Sequence, residues 1–246
     1  MFSFIVTAYH EVLYQPLLNA IVVLYNTVAF GDAGVAIILL TLLIRLVLYP
    51  VFHKGVRHQA AMQRLQPHLK KIQEKKWDDP KQQLEAIREL YKEHGTNPFS
   101  GFLLLLVQIP VIIALFQIAR AILSPDIFGE LYSFVDAPTE INPKFLGLIN
   151  LHERSIVVVG IASILQYLQA KLSITKKASG GESAQERMMR QMALLGPGIT
   201  FVAFFNFPAA VSLYWLTSSA FSLFQQYTVY REQPHGTDNP ISKKIR

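Results

Sequence analysis

Apolar positions along this chain gather in long blocks, unlike the even amphipathic mix of a soluble fold. A bilayer core about 30 Å thick is crossed by roughly 20 apolar residues of helix. Residues 34–52 (GVAIILLTLLIRLVLYPVF) are apolar except for Thr41 and Arg45. Residues 99–119 carry no charge, and 155–172 form a shorter block ending on Gln166, Gln169 and Lys171. Residues 188–227 are almost continuously apolar, interrupted at Asn206-Phe207-Pro208. Proline disfavours helix in the residue before it, so a turn there folds the block into two antiparallel spans. The pattern predicts an all-α membrane protein. It is a five-span helical bundle with spans at 33–52, 98–120, 154–172, 188–207 and 208–228.

Residues 2–29 hold one formal charge, Glu11. Tyr14, Leu17, Leu18, Ile21, Tyr25 and Val28 recur at helical spacing, while Gln15, Asn19 and Asn26 gather on another face. That division favours an N-terminal amphipathic helix over 1–32 lying in the membrane interface; a sixth crossing is the alternative. No basic stretch precedes an apolar core and no convincing cleavage site follows one, so a cleaved signal peptide is not expected. Gly31-Asp32-Ala33-Gly34 ends this helix, and Asp32 is placed to cap the next.

Between the first two spans, residues 53–97 show a helical period of their own. Val56, Ala60, Leu65, Leu69 and Ile72 recur until Asp78-Asp79-Pro80 interrupts them, and Leu84, Ile87, Leu90 and Tyr91 resume. Two helices with a tight turn make an antiparallel hairpin, with Asp79 as N-cap and Pro80 at the first helical position. The hairpin reads either as a solvated helical loop or as a docking element for another protein.

Composition and charge orient this arrangement. The 246 residues are 51% hydrophobic and 16% charged, against about 25% charged in an average soluble domain. A disordered chain and most cytosolic enzymes are excluded. The lack of cysteine removes thiolate catalysis, cysteine-ligated metals, disulfides and lipoprotein acylation. The net charge of +6 is unevenly placed. Residues 53–97 hold ten Lys/Arg, 171–190 hold five, 229–246 hold four and 1–33 none. Residues 121–153 set Lys144 against Asp126, Glu130, Asp136, Glu140 and Glu153. Lys and Arg concentrate on the cytoplasmic side of spans. With the N-terminus outside and the C-terminus inside, the hairpin 53–97, the loop 173–187 and the tail 229–246 are cytoplasmic, and 121–153 is an external loop. The basic excess is an orientation signal, and no specific nucleic acid is needed to explain it.

Arg45 is the most informative residue. It sits seven residues before Phe52, roughly 10 Å into the membrane at about 1.5 Å per residue. An arginine there costs about 2.5–3.5 kcal/mol on insertion scales and keeps its proton. No Asp or Glu occurs in the five blocks. Arg45 therefore snorkels to the interface, or faces water, lipid phosphate or uncharged polar groups. Thr41 lies one turn away on the same face. Gln108, Gln117, Gln166, Gln169 and Gln191 supply polar groups from other spans. Ser212, Trp215, Ser219 and Ser222 share one face of the last. Each alone is more often helix–helix glue. Gathered around an unpaired arginine, they suggest a water-filled cavity that attracts acidic or polar peptide segments.

A set of motifs then becomes recognisable. Thr41 precedes Arg45 by four, followed by Tyr49-Pro50; Leu65-Gln66-Pro67 stands in the hairpin, and Leu90-Tyr91-Lys92 precedes Asn97-Pro98. Gln108 and Pro110 follow, then YLQAKL at 167–172 and LGPGITFVAFFNFPAAVSLYWLTSSAFSLFQQ at 195–226. Tyr14-Gln15-Pro16-Leu17 and Leu24-Tyr25-Asn26 stand near the start. Over nearly its whole length the chain closely resembles the YidC-type membrane protein insertases.

The resemblance implies a bacterial inner-membrane protein that inserts and folds nascent membrane proteins, alone or beside the Sec translocon. It implies five spans around a positively charged hydrophilic groove, open to cytoplasm and lipid and closed outside. Arg45 matches the groove arginine and Thr41 its neighbour; Gln108 and Gln169 match polar lining. Tyr214 and Trp215 match an aromatic pair where a substrate helix would slide, although Trp215 also reads as an ordinary packing aromatic. The expected form is the short one, without a large periplasmic domain before the first span, and without a lipobox cysteine or a long ribosome-binding tail. Near Ala210 the sequence reads PAAVSLYW, where a glycine is common in the family.

The alternative is a small multi-span transporter or channel, which could also use an intramembrane arginine. The apolar outer half of the first span, 34–40, offers it no path to the far side. An enzyme is not expected, because the blocks contain no His, Asp or Glu for acid–base or metal chemistry. His53, His58, His68 and His94 in the hairpin are not spaced as a metal set. No cofactor or metal is expected, and a monomer suffices.

Overall fold

The computed structural model describes residues 2–75, 79–97, 100–121, 129–173 and 184–232. Asp78, Pro98, most of the expected loop 173–187 and the tail after 232 lie outside the described residues. The described chain is mostly helical. Helix α1 (Phe2–Tyr9) passes through a π-helical turn (His10–Tyr14) into α2 (Gln15–Thr27). Pro16 has no N–H to donate, and the wider π turn before it absorbs the mismatch. Gly31 is left-handed (φ +74°), and Asp32 then caps α3 (Ala33–Val47) by accepting the Val35 N–H at 2.9 Å, as its position suggested.

The block 33–52, expected as one span, is divided. Helix α3 ends at Val47, and α4 (Tyr49–Glu74) leaves it at 71°. Pro50 is the physical reason. In an unbroken helix it would forfeit a hydrogen bond to the Leu46 carbonyl, whereas in the first turn of a new helix its missing N–H costs nothing. Helix α5 (Pro80–Glu93) returns along α4, and Asp79 caps it by accepting the Lys81 N–H at 2.9 Å. Helices α6 (Ser100–Ala121), α7 (Ile156–Ser173), α8 (Ala184–Phe204) and α9 (Ala209–Glu232) complete the order. The chain turns between α8 and α9 at Asn206-Phe207-Pro208.

Helix α9 is central: it packs on α3, α4, α6 and α7, while α2 lies on α3 and α8 on α7. Leu18, Ile21, Leu40, Leu115, Ile118 and Leu213 fill the core between them. Among the described residues no single helix is long and apolar enough to cross a membrane; the bent pair α3 and α4 is, taken together.

Residues 129–153 fold as a cap over one end of the bundle. They contain a two-stranded antiparallel ribbon, β1 (Lys144–Phe145) and β2 (Ile149–Asn150), with Phe145 opposite Ile149. The polar face of α2 meets this cap. Asn19, 3% exposed, accepts the Tyr132 N–H at 2.7 Å and donates to the Gln15 carbonyl at 2.8 Å. Gln15 donates to the Glu130 carbonyl at 3.1 Å, and Asn26 to that of Asp136 at 2.7 Å. The Tyr25 hydroxyl accepts the Asn142 N–H at 2.9 Å. On α3, the second carboxylate oxygen of Asp32 accepts the Leu146 N–H at 2.7 Å, and Phe145 lies against Gly34. The first free N–H groups of α9 also find acceptors in the cap: Ala209 donates to Glu153 at 2.7 Å and Ala210 to Leu151 at 3.0 Å. Three helices are thus tied to one short segment.

Candidate functional site

The site is built around Arg45. The bend at Leu48 puts this arginine in the last turn of α3, much nearer the helix end than the 10 Å depth read from a straight span. It is 7% exposed, and its guanidinium carbon lies 4.3 Å from the centre of the Phe52 ring, across the bend. Among the described residues no carboxylate lies within ion-pair distance of it. Two weaker interactions take a carboxylate's place. The ring face attracts the cation by about 0.5–2 kcal/mol, and the carbonyl end of the helix by about 0.3–1 kcal/mol. Together they approach the cost of about 2.5–3.5 kcal/mol for burying an arginine in a span. These two contacts offset part of the cost of burying the guanidinium.

The other predicted residues divide into two groups. Gln108 on α6 donates its side-chain N–H to the Tyr214 hydroxyl on α9. Tyr214 is buried and lies within electrostatic reach of Arg45. Thr41 is buried one turn above Arg45, and its hydroxyl donates to the Ile37 carbonyl at 2.6 Å, so its proton is committed to its own helix. Trp215 faces elsewhere. Neighbouring residues on a helix point about 100° apart, and the Trp215 ring packs on Phe204 of α8, centroids 4.7 Å apart. Ser212 shares that side and is fully buried. Gln169, part-exposed on α7, makes no hydrogen bond to the others among the described residues.

The face of α9 that carries the site is the stripe Tyr214, Ser218, Phe221 and Gln225, at helical spacing. Gln225 is almost fully buried, and neither end of its amide has a partner among the described residues. Tyr49 packs edge-on against Phe221 at 6.5 Å, which holds the start of α4 to this stripe. Sequence reading missed Phe52, Phe221 and Gln225. Pro50 was the available signal for the bend that brings in the first of them. Above Tyr214, toward the cap, lies an apolar cavity lined by Ile21, Ile37, Leu115, Leu151 and His152. An apolar cavity of this kind stays dry. Burial holds the His152 imidazole below the usual histidine range.

Among the described residues a helical bundle buries a guanidinium with no carboxylate partner beside the Gln108–Tyr214 hydrogen bond, under a hydrogen-bonded cap, an arrangement suited to binding anionic or polar groups. The chain belongs to the 60Kd inner membrane protein family, whose model matches residues 23–236. It is 33% identical over 223 residues to a membrane protein insertase YidC of Nitratidesulfovibrio vulgaris, covering 89% of this chain and 38% of the relative. The insertase YidC of Chlamydia trachomatis is 31% identical over 229 residues, 88% of this chain and 28% of the relative. That of Streptomyces avermitilis is 29% identical over 221 residues, 82% and 52% respectively. The chain thus spans about half, or less, of the length of these relatives.

Proposed function

We propose that this chain inserts membrane proteins, as the names of its relatives say of them, and that it also folds these nascent clients, through a positively charged hydrophilic groove in a bacterial inner membrane. In this reading 33–52, 98–120, 154–172, 188–207 and 208–228 are spans, with the N-terminus outside and the C-terminus in the cytoplasm. The N-terminal helix lies at the outer interface and the hairpin 53–97 in the cytoplasm. An apolar exterior supports the bilayer: Leu46, Ile113, Ile164, Ile199, Val202 and Phe224, from five helices, are exposed. Lipid covers such a surface and water does not.

The observation that carries the function is Arg45, buried, fixed over Phe52 and without a carboxylate partner among the described residues. Gln108, Tyr214, Gln225 and Arg45 offer polar contacts that lower the cost of bringing a client's hydrophilic tail part-way into the bilayer. Arg45 attracts acidic groups in that tail. The dry cavity above Tyr214 ends the groove on the outer side. The client's apolar segment then leaves sideways into lipid, where burial is favourable. Gln169 lines the groove's cytoplasmic part, and Trp215 and Ser212 hold α9 to its neighbours. No bond is made or broken, so no catalytic residue or cofactor is assigned. Nascent membrane proteins and lipid are the partners. The basic hairpin is the surface through which the ribosome or the Sec translocon would be met.

The test replaces Arg45 with Ala and with Lys and follows insertion of a single-span client with an acidic N-terminal tail. Loss with Ala and retention with Lys is the expected result. Wild-type insertion by Arg45→Ala would remove the charge role. Photocrosslinking from positions beside Arg45 during translation should give nascent-chain adducts, and their absence at good expression would count against an insertase.

A further inference from the structure

Two turns, one of them in the cap, stand side by side at the start of α3. One is Phe30-Gly31, between α2 and α3; the other is Leu146-Gly147-Leu148, between β1 and β2. The Leu146 N–H bonded to Asp32 at 2.7 Å holds them together. In each turn a glycine takes a left-handed conformation at no steric cost, Gly31 at φ +74° and Gly147 at φ +72°. In each, the residue before it is left-handed as well, Phe30 at φ +53° and Leu146 at φ +50°. That conformation is unfavourable for a bulky apolar side chain. A turn facing water would use Gly or Asn at such a position. Packing within the chain does not offset the strain, because Phe30 is 95% exposed and Leu146 64%; Leu148, beside them, is 86% exposed.

We propose that Phe30, Leu146 and Leu148 form a wedge that inserts into the outer leaflet at the boundary between headgroups and acyl chains. The inference rests on the reading of α3 as part of a span. The wedge's apolar side chains stand on the tips of two turns. Lipid accepts such side chains one by one. The surroundings are acidic, with Asp32 beside a cap that sets Glu130, Asp136, Glu140 and Glu153 against Lys144, so apolar burial holds the wedge and attraction to anionic headgroups does not. The wedge also sets a depth. At about 1.5 Å per residue, α3 carries Arg45 about 18 Å inward from Ala33. With the wedge at the outer boundary, the guanidinium stands in the inner half of a core about 30 Å thick.

The chain has no cysteine, so single cysteines introduced into it can be labelled cleanly. Phe30→Cys and Leu148→Cys, each carrying an environment-sensitive fluorophore, are reconstituted in phosphatidylcholine vesicles. Thr139→Cys, exposed and polar on the same cap, is the aqueous control; Leu43→Cys, exposed on α3, is the control within the span. The expected result is blue-shifted emission at positions 30 and 148. Lipid carrying a quencher near the headgroup should quench them more strongly than lipid carrying it deep in the chain, while position 139 responds only to iodide. Quenching by lipid at 43 but not at 30 or 148 would overturn the wedge and leave the span intact. Iodide quenching at 43 as well would overturn the span itself. Shielding at 30 and 148 that vanishes on dilution of protein in lipid would assign the tips to a second protein copy and overturn the lipid assignment.

Discussion

Replacing Gly34 with alanine sets two effects against each other. Alanine is preferred over glycine in a helix by about 0.5–1 kcal/mol, so the change alone stabilises α3. The new Cβ falls against the Phe145 ring and 2.6 Å from the Phe145 Cβ, far inside contact distance. Relief requires the ring or the whole of β1 to move. The strand is held by its pairing with Ile149, by Leu146 on Asp32 and by the Leu151 N–H on the Pro143 carbonyl at 2.9 Å. Overpacking against such a fixed neighbour costs about 1–3 kcal/mol, so the clash wins by about 1–2 kcal/mol. For a chain of this size that lowers the melting midpoint by about 2–8 °C. The assay is thermal unfolding of the detergent-solubilised protein by near-ultraviolet circular dichroism, at one scan rate because unfolding is expected to be irreversible. Adding Phe145→Ala should leave the double variant more stable than the sum of the single losses, with a coupling of about 1 kcal/mol. A midpoint for Gly34→Ala at or above wild type would refute the close seating of the cap on α3.

Three further outcomes are expected. Asn19→Ala removes the acceptor of the Tyr132 N–H and should cost about 1–3 kcal/mol, with faster hydrogen exchange confined to residues 130–136; unchanged exchange there would show that the clasp is dispensable. Tyr214→Phe and Gln108→Leu should each cost about 0.6–1.7 kcal/mol, and the double variant little more, because both break one hydrogen bond; additive losses would mean that the two groups act separately. His152 is held below the histidine range in the folded state, so the unfolded chain takes up its proton first as pH falls. Its contribution is complete above about pH 6.5 and is lost as the pH drops from there toward the folded pKa. His152→Gln should flatten that part of the stability profile, and an unchanged profile would show the side chain to be solvated.

The helices and caps were readable because their signals are local. Asp32 and Asp79 each cap the helix that follows by accepting an N–H two or three residues on, and Pro208 marks the turn between α8 and α9. Arg45 was readable because a charge among apolar residues needs no structure to be conspicuous. What escaped depends on distance along the chain or on direction in space. Asn19 reads as one polar residue on a wet helix face, yet it is buried on the backbone of Tyr132, more than a hundred positions away. Tyr214 and Trp215 are adjacent in sequence, but a helix sends them to different neighbours. Phe52 meets Arg45 only because the chain bends between them.

The bend at Leu48 also makes α4 a strut. From Tyr49 to Glu74 it is a rod of about 39 Å, pinned at its foot where Tyr49 packs on Phe221 and again part-way along where the Tyr230 hydroxyl donates to Gln63. Both pins stand on α9, the helix that also carries Tyr214. Phe52 rides on the pinned foot, so the seating of one rod on α9 fixes the surroundings of Arg45.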